Sequence, residues 1–175
     1  MKLAESHGRF LYDDIVATHE VTHFDRAPGD GYAIRAKDSI EVSSFHPIEF
    51  KVIDHIGAGM VSKEKLGPFQ TVRIMTGVLM PEGSDTVVML ELSAEVEPDG
   101  EKYMIIKRSF KEGDNISYQG EDAKKGDLLI ERGTYINPGV QAVLATFGYS
   151  ELNVAKKPRL ACLQQEPNCL RSQIF

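Results

Sequence analysis

The sequence predicts a mainly β protein with minor α+β character. Three features carry that prediction: short runs rich in β-branched and aromatic residues, Gly- and Pro-centred turns about every ten residues between them, and a single segment with clear helical periodicity.

Along the chain, residues 2–7 read as a helical turn closed by Gly8, and FLYDDIVAT at 10–18 reads as a strand. The loop FDRAPGDGYA at 24–33 follows. There Pro28 fixes its own φ while Gly29 and Gly31 tolerate positive φ, so Asp30 sits on a tight turn with its carboxylate directed outward. Residues 32–36 read as extended and 37–40 as a helical turn. PIEFKVIDHI at 47–56 alternates as a half-buried strand does, and Gly57-Ala58-Gly59 ends it. FQTVRIM at 69–75 is the next strand. Thr76-Gly77 and the loop at 81–85 then lead to the apolar strand 86–90. Pro98-Asp99-Gly100 joins 92–96 to 103–106 as a hairpin, and Lys111-Glu112-Gly113-Asp114 marks another turn.

The helix starts at Asn137 as N-cap with Pro138 in the first position. Val140, Val143, Leu144 and Phe147 follow at i, i+3, i+4 and i+7, and Gly148 stops it. Residues 151–155 and 159–163 read as strands around a Lys-Lys-Pro break. Beyond Leu163 the sequence predicts no regular element.

The chain has 175 residues, of which 42% are hydrophobic, enough to bury a core in one domain or two small ones. A net charge of −6 provides no basic footprint for nucleic acid. No run reaches the roughly 18 apolar residues of a membrane span. The charged residues among positions 1–17 leave no signal-peptide core, and two cysteines, Cys162 and Cys169, are expected as free thiols in a reducing cytosol.

His19-Glu20-Val21-Thr22-His23 fits H-E-x-x-H, which binds zinc only when a helix sets two imidazoles one turn apart beside a glutamate base. Strand-like residues precede it, β-branched Val21 and Thr22 lie within it, and a Pro-Gly loop follows, so a helical turn is not expected there. A third ligand would have to come from His46, His55 or a distant carboxylate.

Asp30, Glu91, Glu121 and Asp122, with Arg26, Arg73 and Thr76, have the chemistry to hold a hard divalent cation and an anion. Salt bridges and turn caps would explain each group separately, and residue chemistry leaves both readings open.

Read together, FDRxxxDGYA at 24–33, VRIMTG at 72–77, PEGSDTVVMLE at 81–91 and GED at 120–122 resemble the molybdopterin molybdenumtransferase family, the MoeA and gephyrin E-domain group. The resemblance spans about 3–159, including GDLLIERGTYINPGVQAVLATFGYSELNV. It implies insertion of molybdenum from molybdate into adenylylated molybdopterin, with magnesium as cofactor and AMP released. It assigns site positions to Asp30, Thr76, Glu91 and Asp122. Asp30 and Asp122 are expected to orient the metal or oxyanion, Thr76 to donate a hydrogen bond, and Glu91 to position water or cation. Arg26, Arg73 and Glu121 are expected on the substrate side, with structural counter-charge as the other reading of the two arginines.

The resemblance also implies two small β-rich domains, the second inserted in the first. Residues 1–23 and 114–157 would form the N-terminal domain, 24–113 the inserted one, and 158–175 an aberrant tail where a pterin-binding domain would begin. That tail, CLQQEPNCLRSQIF from Cys162, reads as a frame change or truncation, and relatives have a helical segment ahead of the match. Ala27-Pro28-Gly29 stands where relatives have a trio such as Ser-Ala-Met, so a hydroxyl is missing. A cytoplasmic homodimer, or association with a full-length relative, is the expected assembly. Two other functions stay open: a non-catalytic remnant or dimerisation scaffold, and the zinc hydrolase.

Overall fold

The computed structural model describes residues 1–166 and 169–174, and of 162–174 the backbone only. Two compact units divide the chain: Met1–His19 with Lys125–Phe175, and the intervening Glu20–Lys124.

The intervening unit is a six-stranded sheet. Its strands are β2 (Gly31–Ile34), β3 (Ile48–Ile56), β4 (Gln70–Ile74), β5 (Thr86–Met89), β6 (Ser93–Val96) and β7 (Tyr103–Ile106), in the order β5-β2-β4-β3-β7-β6. Only β3 and β4 run parallel, and every other neighbouring pair is antiparallel. The predicted hairpin forms between β6 and β7, where Asp99 and Gly100 take positive φ in the connecting turn.

Alternation divides the apolar side chains between two clusters. Tyr32, Ile34, Phe50, Val88, Met104 and Ile106 pack on one face, and Ala33, Ile56, Val72, Ile74 and Val87 on the other. Both faces of β2 are therefore covered, and all four of its residues are buried. Gly31 is needed there because a Cβ at this position would lie 2.2 Å from the Val88 carbonyl oxygen.

Strand β6 is an edge strand, yet its Glu95 side chain reaches both Tyr32 on β2 and Arg73 on β4. Neighbouring strands lie about 4.8 Å apart, so a flat sheet would separate β4 from β6 by roughly 14 Å. The sheet must roll up for that contact to exist. The Leu90–Leu92 turn between β5 and β6 brings the two edges together, with the Tyr32–Phe50–Met104 cluster inside the curl.

The other unit pairs β1 (Ile15–Val16) antiparallel with β8 (Leu128–Ile130) and carries the one α-helix among the described residues, α1 (Pro138–Thr146). Asn137 caps α1 as expected, its side-chain oxygen accepting from Val140 N–H at 2.9 Å, and Gly148 follows the helix at φ 79°. Leu144 and Phe147 are buried, the former packing with Leu11, Ile15, Ile136 and Leu152, whereas Val143 of the expected stripe is exposed.

Four expectations change. Neither Gly29 nor Gly31 takes positive φ, since Gly31 already lies in β2 and Asp30 sits on a bend leading into it. The run 10–18 shortens to a two-residue strand, because Tyr12, Asp13 and Asp14 are exposed and only Phe10 and Leu11 add single bridges. Residues 151–155 also form isolated bridges rather than a strand. Past Leu163 the backbone is regular after all: β9 (Ala161–Glu166) pairs antiparallel with β10 (Cys169–Ile174). A ladder of backbone hydrogen bonds needs no side-chain alternation, which is why periodicity missed it. The expectation of free thiols at Cys162 and Cys169 concerns side chains outside the described ones.

Candidate functional site

Strands β3, β4 and β5 all point one way and β2 points the other, so one end of the sheet collects the residues after Ile74, those after Met89 and those before Gly31. Asp30 and Thr76 therefore meet at that end, and Glu91 follows on the turn leaving β5, where Leu90 N–H donates to the Asp30 carbonyl at 3.3 Å. Gly31 pairs with both Ile74 and Met89, which places Asp30 between the two departing turns.

Asp30 is held by a double donation. One oxygen, Oδ1, accepts from Thr76 N–H at 2.7 Å and from Thr76 Oγ1 at 2.7 Å. Thr76 sits in the turn from Met75 to Val78, closed by Val78 N–H donating to the Met75 carbonyl at 3.3 Å, and Gly77 supplies the positive φ of 81° that the turn requires. The hydroxyl bond from Thr76, then its backbone bond, hold the Asp30 carboxyl below its ordinary value of 3.8; burial opposes them slightly and the Arg73 charge adds to them. Asp30 is thus a fixed, ionised carboxylate at neutral pH, exposed to solvent, whose Oδ2 takes no hydrogen bond among the described residues.

The Asp30 loop is fastened to the Thr76 turn by backbone pairing. Met80 N–H donates to Asp25, Ala27 N–H to Val78, and Gly77 N–H to Ala27 at 2.8 Å. On its other side Arg26 exchanges backbone hydrogen bonds with Ser117 at 2.9 Å each way. Ala27 is fully buried in this ladder, so the missing hydroxyl of the Ala27-Pro28-Gly29 trio would have pointed into packed apolar surroundings.

Arg73 lies on the inner face of the curl. Its guanidinium covers the Tyr32 ring at 5.7 Å, approaches the Tyr32 hydroxyl at 3.3 Å and pairs with Glu95, whose Oε1 also accepts from the Tyr32 hydroxyl. Glu91, exposed on the Leu90–Leu92 turn, lines a shallow depression of about 200 Å³ with Lys107 and Ser93.

Glu121 and Asp122 belong to a different loop, attached to the Arg26 segment. Ser117 Oγ donates to Glu121, and Asp122 N–H donates to the Val21 carbonyl at 2.9 Å. Both side chains are exposed. Tyr32 and Glu95 were not singled out from the sequence. Tyr32 at least lies inside the DGYA motif, but nothing in the alternating run 92–96 marks Glu95.

The segment His19–His23 contains no helix: it is bend and bridge, with Val21 paired to Ala123, so the imidazole spacing required by H-E-x-x-H zinc chemistry does not arise. Among the described residues no three His, Cys, Asp or Glu side chains converge as a metal-binding group. Magnesium does not need such a cage, because it takes one or two carboxylates and fills its octahedron with water and phosphate oxygens. An ionised Asp30 with one unengaged oxygen fits that requirement. Among the described residues no helix is long and apolar enough to cross a membrane.

Comparison with known proteins shows the family. Residues 1–148 match the family model described as MoeA N-terminal region (domain I and II). The chain is 56% identical over 156 residues to the molybdopterin molybdenumtransferase of Bacillus subtilis, covering 89% of this chain and 36% of that protein. It is 48% identical over 163 residues to the same-named protein of Staphylococcus epidermidis, covering 93% of this chain and 38% of that protein. The solved molybdopterin biosynthesis MoeA protein of Pyrococcus horikoshii OT3 superposes with a TM-score of 0.83 at 37% identity, over 90% of this chain and 41% of that one. The chain therefore spans well under half the length of these relatives.

Proposed function

This chain belongs to the MoeA N-terminal-region family, and from that premise we propose that it carries the N-terminal and inserted second domains of a molybdopterin molybdenumtransferase. Its reaction is insertion of molybdenum from molybdate into adenylylated molybdopterin with release of AMP. The observation that supports this best is the Asp30–Thr76 clamp, a rigid ionised carboxylate at the end of the sheet.

Magnesium, when bound, offsets the negative charge of phosphate oxygens and orients them for cleavage. Thr76 keeps Asp30 in one rotamer, leaving Oδ2 as a hard oxygen donor that needs no reorganisation when substrate arrives. Asp122 is the second carboxylate donor from the neighbouring loop, Glu91 positions water or cation, and Arg26 and Glu121 order the loop on the substrate side. The pterin-binding surface comes from a further domain of a partner subunit, so the working form is a cytoplasmic homodimer or an assembly with a full-length relative. The discontinuous unit corresponds to the family's first domain and the inserted unit to its second.

The test supplies the purified chain with adenylylated molybdopterin, molybdate and magnesium, alone and together with a full-length relative inactivated in its own copy of this region, and measures AMP release. Release in either arm that disappears with Asp30→Asn supports the reading. No release in both arms refutes it and favours a non-catalytic scaffold.

A further inference from the structure

We propose that the Tyr32 hydroxyl and the Arg73 guanidinium form a subsite for a tetrahedral oxyanion, in which the Glu95 carboxylate is an intramolecular plug. Both donors stand on paired strands of the sheet. Tyr32 and Arg73 face each other in register on β2 and β4, Tyr32 is fully buried, and its ring lies under the guanidinium. Both donors converge on a single atom, Glu95 Oε1.

The acceptor is the most exposed of the three. It comes from the edge strand β6, its side chain is 48% exposed and that of Arg73 34%. Its other oxygen, Oε2, takes no hydrogen bond among the described residues. An ion pair this exposed contributes little to stability. A tetrahedral dianion placed at the same point would offer more charge and more acceptor oxygens to a guanidinium fork than one carboxylate oxygen does. The subsite adjoins the Asp30–Thr76 clamp, since Tyr32 follows Asp30 by two residues and the Arg73 charge is felt at Asp30. Without the plug, the Tyr32 hydroxyl would lose its carboxylate acceptor while still accepting from Arg73 at 3.3 Å, leaving one hydroxyl donor and the rest of the guanidinium fork to an arriving anion.

The existence of the subsite rests on this geometry, and only the identity of its anion rests on the molybdenumtransferase reading. Molybdate and the phosphate of an adenylate share the required chemistry. The experiment is isothermal titration of the full chain with molybdate, inorganic phosphate and AMP in separate arms, for the unaltered chain, Glu95→Gln and Glu95→Asp. Glu95→Gln should tighten at least one anion by about tenfold, the worth of one charge-assisted hydrogen bond. The arm that tightens identifies the source.

Glu95→Asp withdraws the carboxylate by one methylene while keeping its charge, and should show a smaller gain. The gain should vanish when Arg73→Gln is added and fall with Tyr32→Phe. Thermal melting checks that each variant is folded. Folded Glu95→Gln and Glu95→Asp with unchanged affinity in all three arms overturn the proposal, as does a gain that survives Arg73→Gln. Because no pterin is needed, a negative result here is separate from failure of the AMP-release test.

Discussion

Thr76 donates twice to the same carboxylate oxygen of Asp30, through its backbone nitrogen and its hydroxyl, each at 2.7 Å. The two residues lie 46 positions apart, so the contact depends on β2 and β4 being neighbours with Gly31 opposite Ile74.

Thr76→Val keeps the shape and the N–H donor but deletes the hydroxyl. The Asp30 carboxyl should rise toward its ordinary value of 3.8, measurable by carboxyl-carbon NMR titration, while Thr76→Ser restores the lower value. A folded-state carboxyl held low stabilises the fold above the unfolded pKa and loses that contribution as pH falls through the folded value. The associated pH dependence of stability should therefore lie below 3.8 and shrink in Thr76→Val. Across pH 5 to 8, Asp30 should contribute no titration to any measured activity.

Gly31→Ala should be among the most damaging small substitutions. The new Cβ would sit 2.2 Å from the Val88 carbonyl oxygen, a backbone atom that can move only by parting β2 from β5. A loss of about 3 kcal/mol is expected in urea unfolding. Gly59→Ala, with open space but φ of 77°, should cost only about 1 kcal/mol through backbone strain.

Asp38→Ala should destabilise the sheet unit by about 3 kcal/mol. Its side chain, 8% exposed, takes two hydrogen bonds from Arg35 at 2.7 and 2.8 Å and a third from Phe69 N–H at 3.0 Å. Removal leaves a largely buried guanidinium without its counter-charge. Asp38→Asn should lie between, and chemical denaturation ranks the three.

Asn137→Ala removes the side-chain acceptor that caps α1, for which about 1 kcal/mol is the usual cost. Asn137→Asp should retain the cap, and a comparison of unfolding midpoints separates the two.

Much of this protein was legible locally. The cap at Asn137, the turn at Pro98-Asp99-Gly100 and strands such as Ile48–Ile56 follow from dihedral preference and alternation, which act between residues close in sequence. Where local signals misled, at residues 10–18 and beyond Leu163, backbone pairing partners outweighed the residue pattern.

Sequence pattern alone was enough for the mainly β class, the capped helix α1, the exposed loop position of Asp30 and, through four ordered motifs, the family. Tertiary packing set which strands are neighbours, and hence that Thr76 clamps Asp30. It alone brought Glu95 to Tyr32 and Arg73. The reason is physical: alternation states which face a side chain takes, but strand order and curl arise from burying both faces of β2 at once, a property of the whole sheet that no single segment carries.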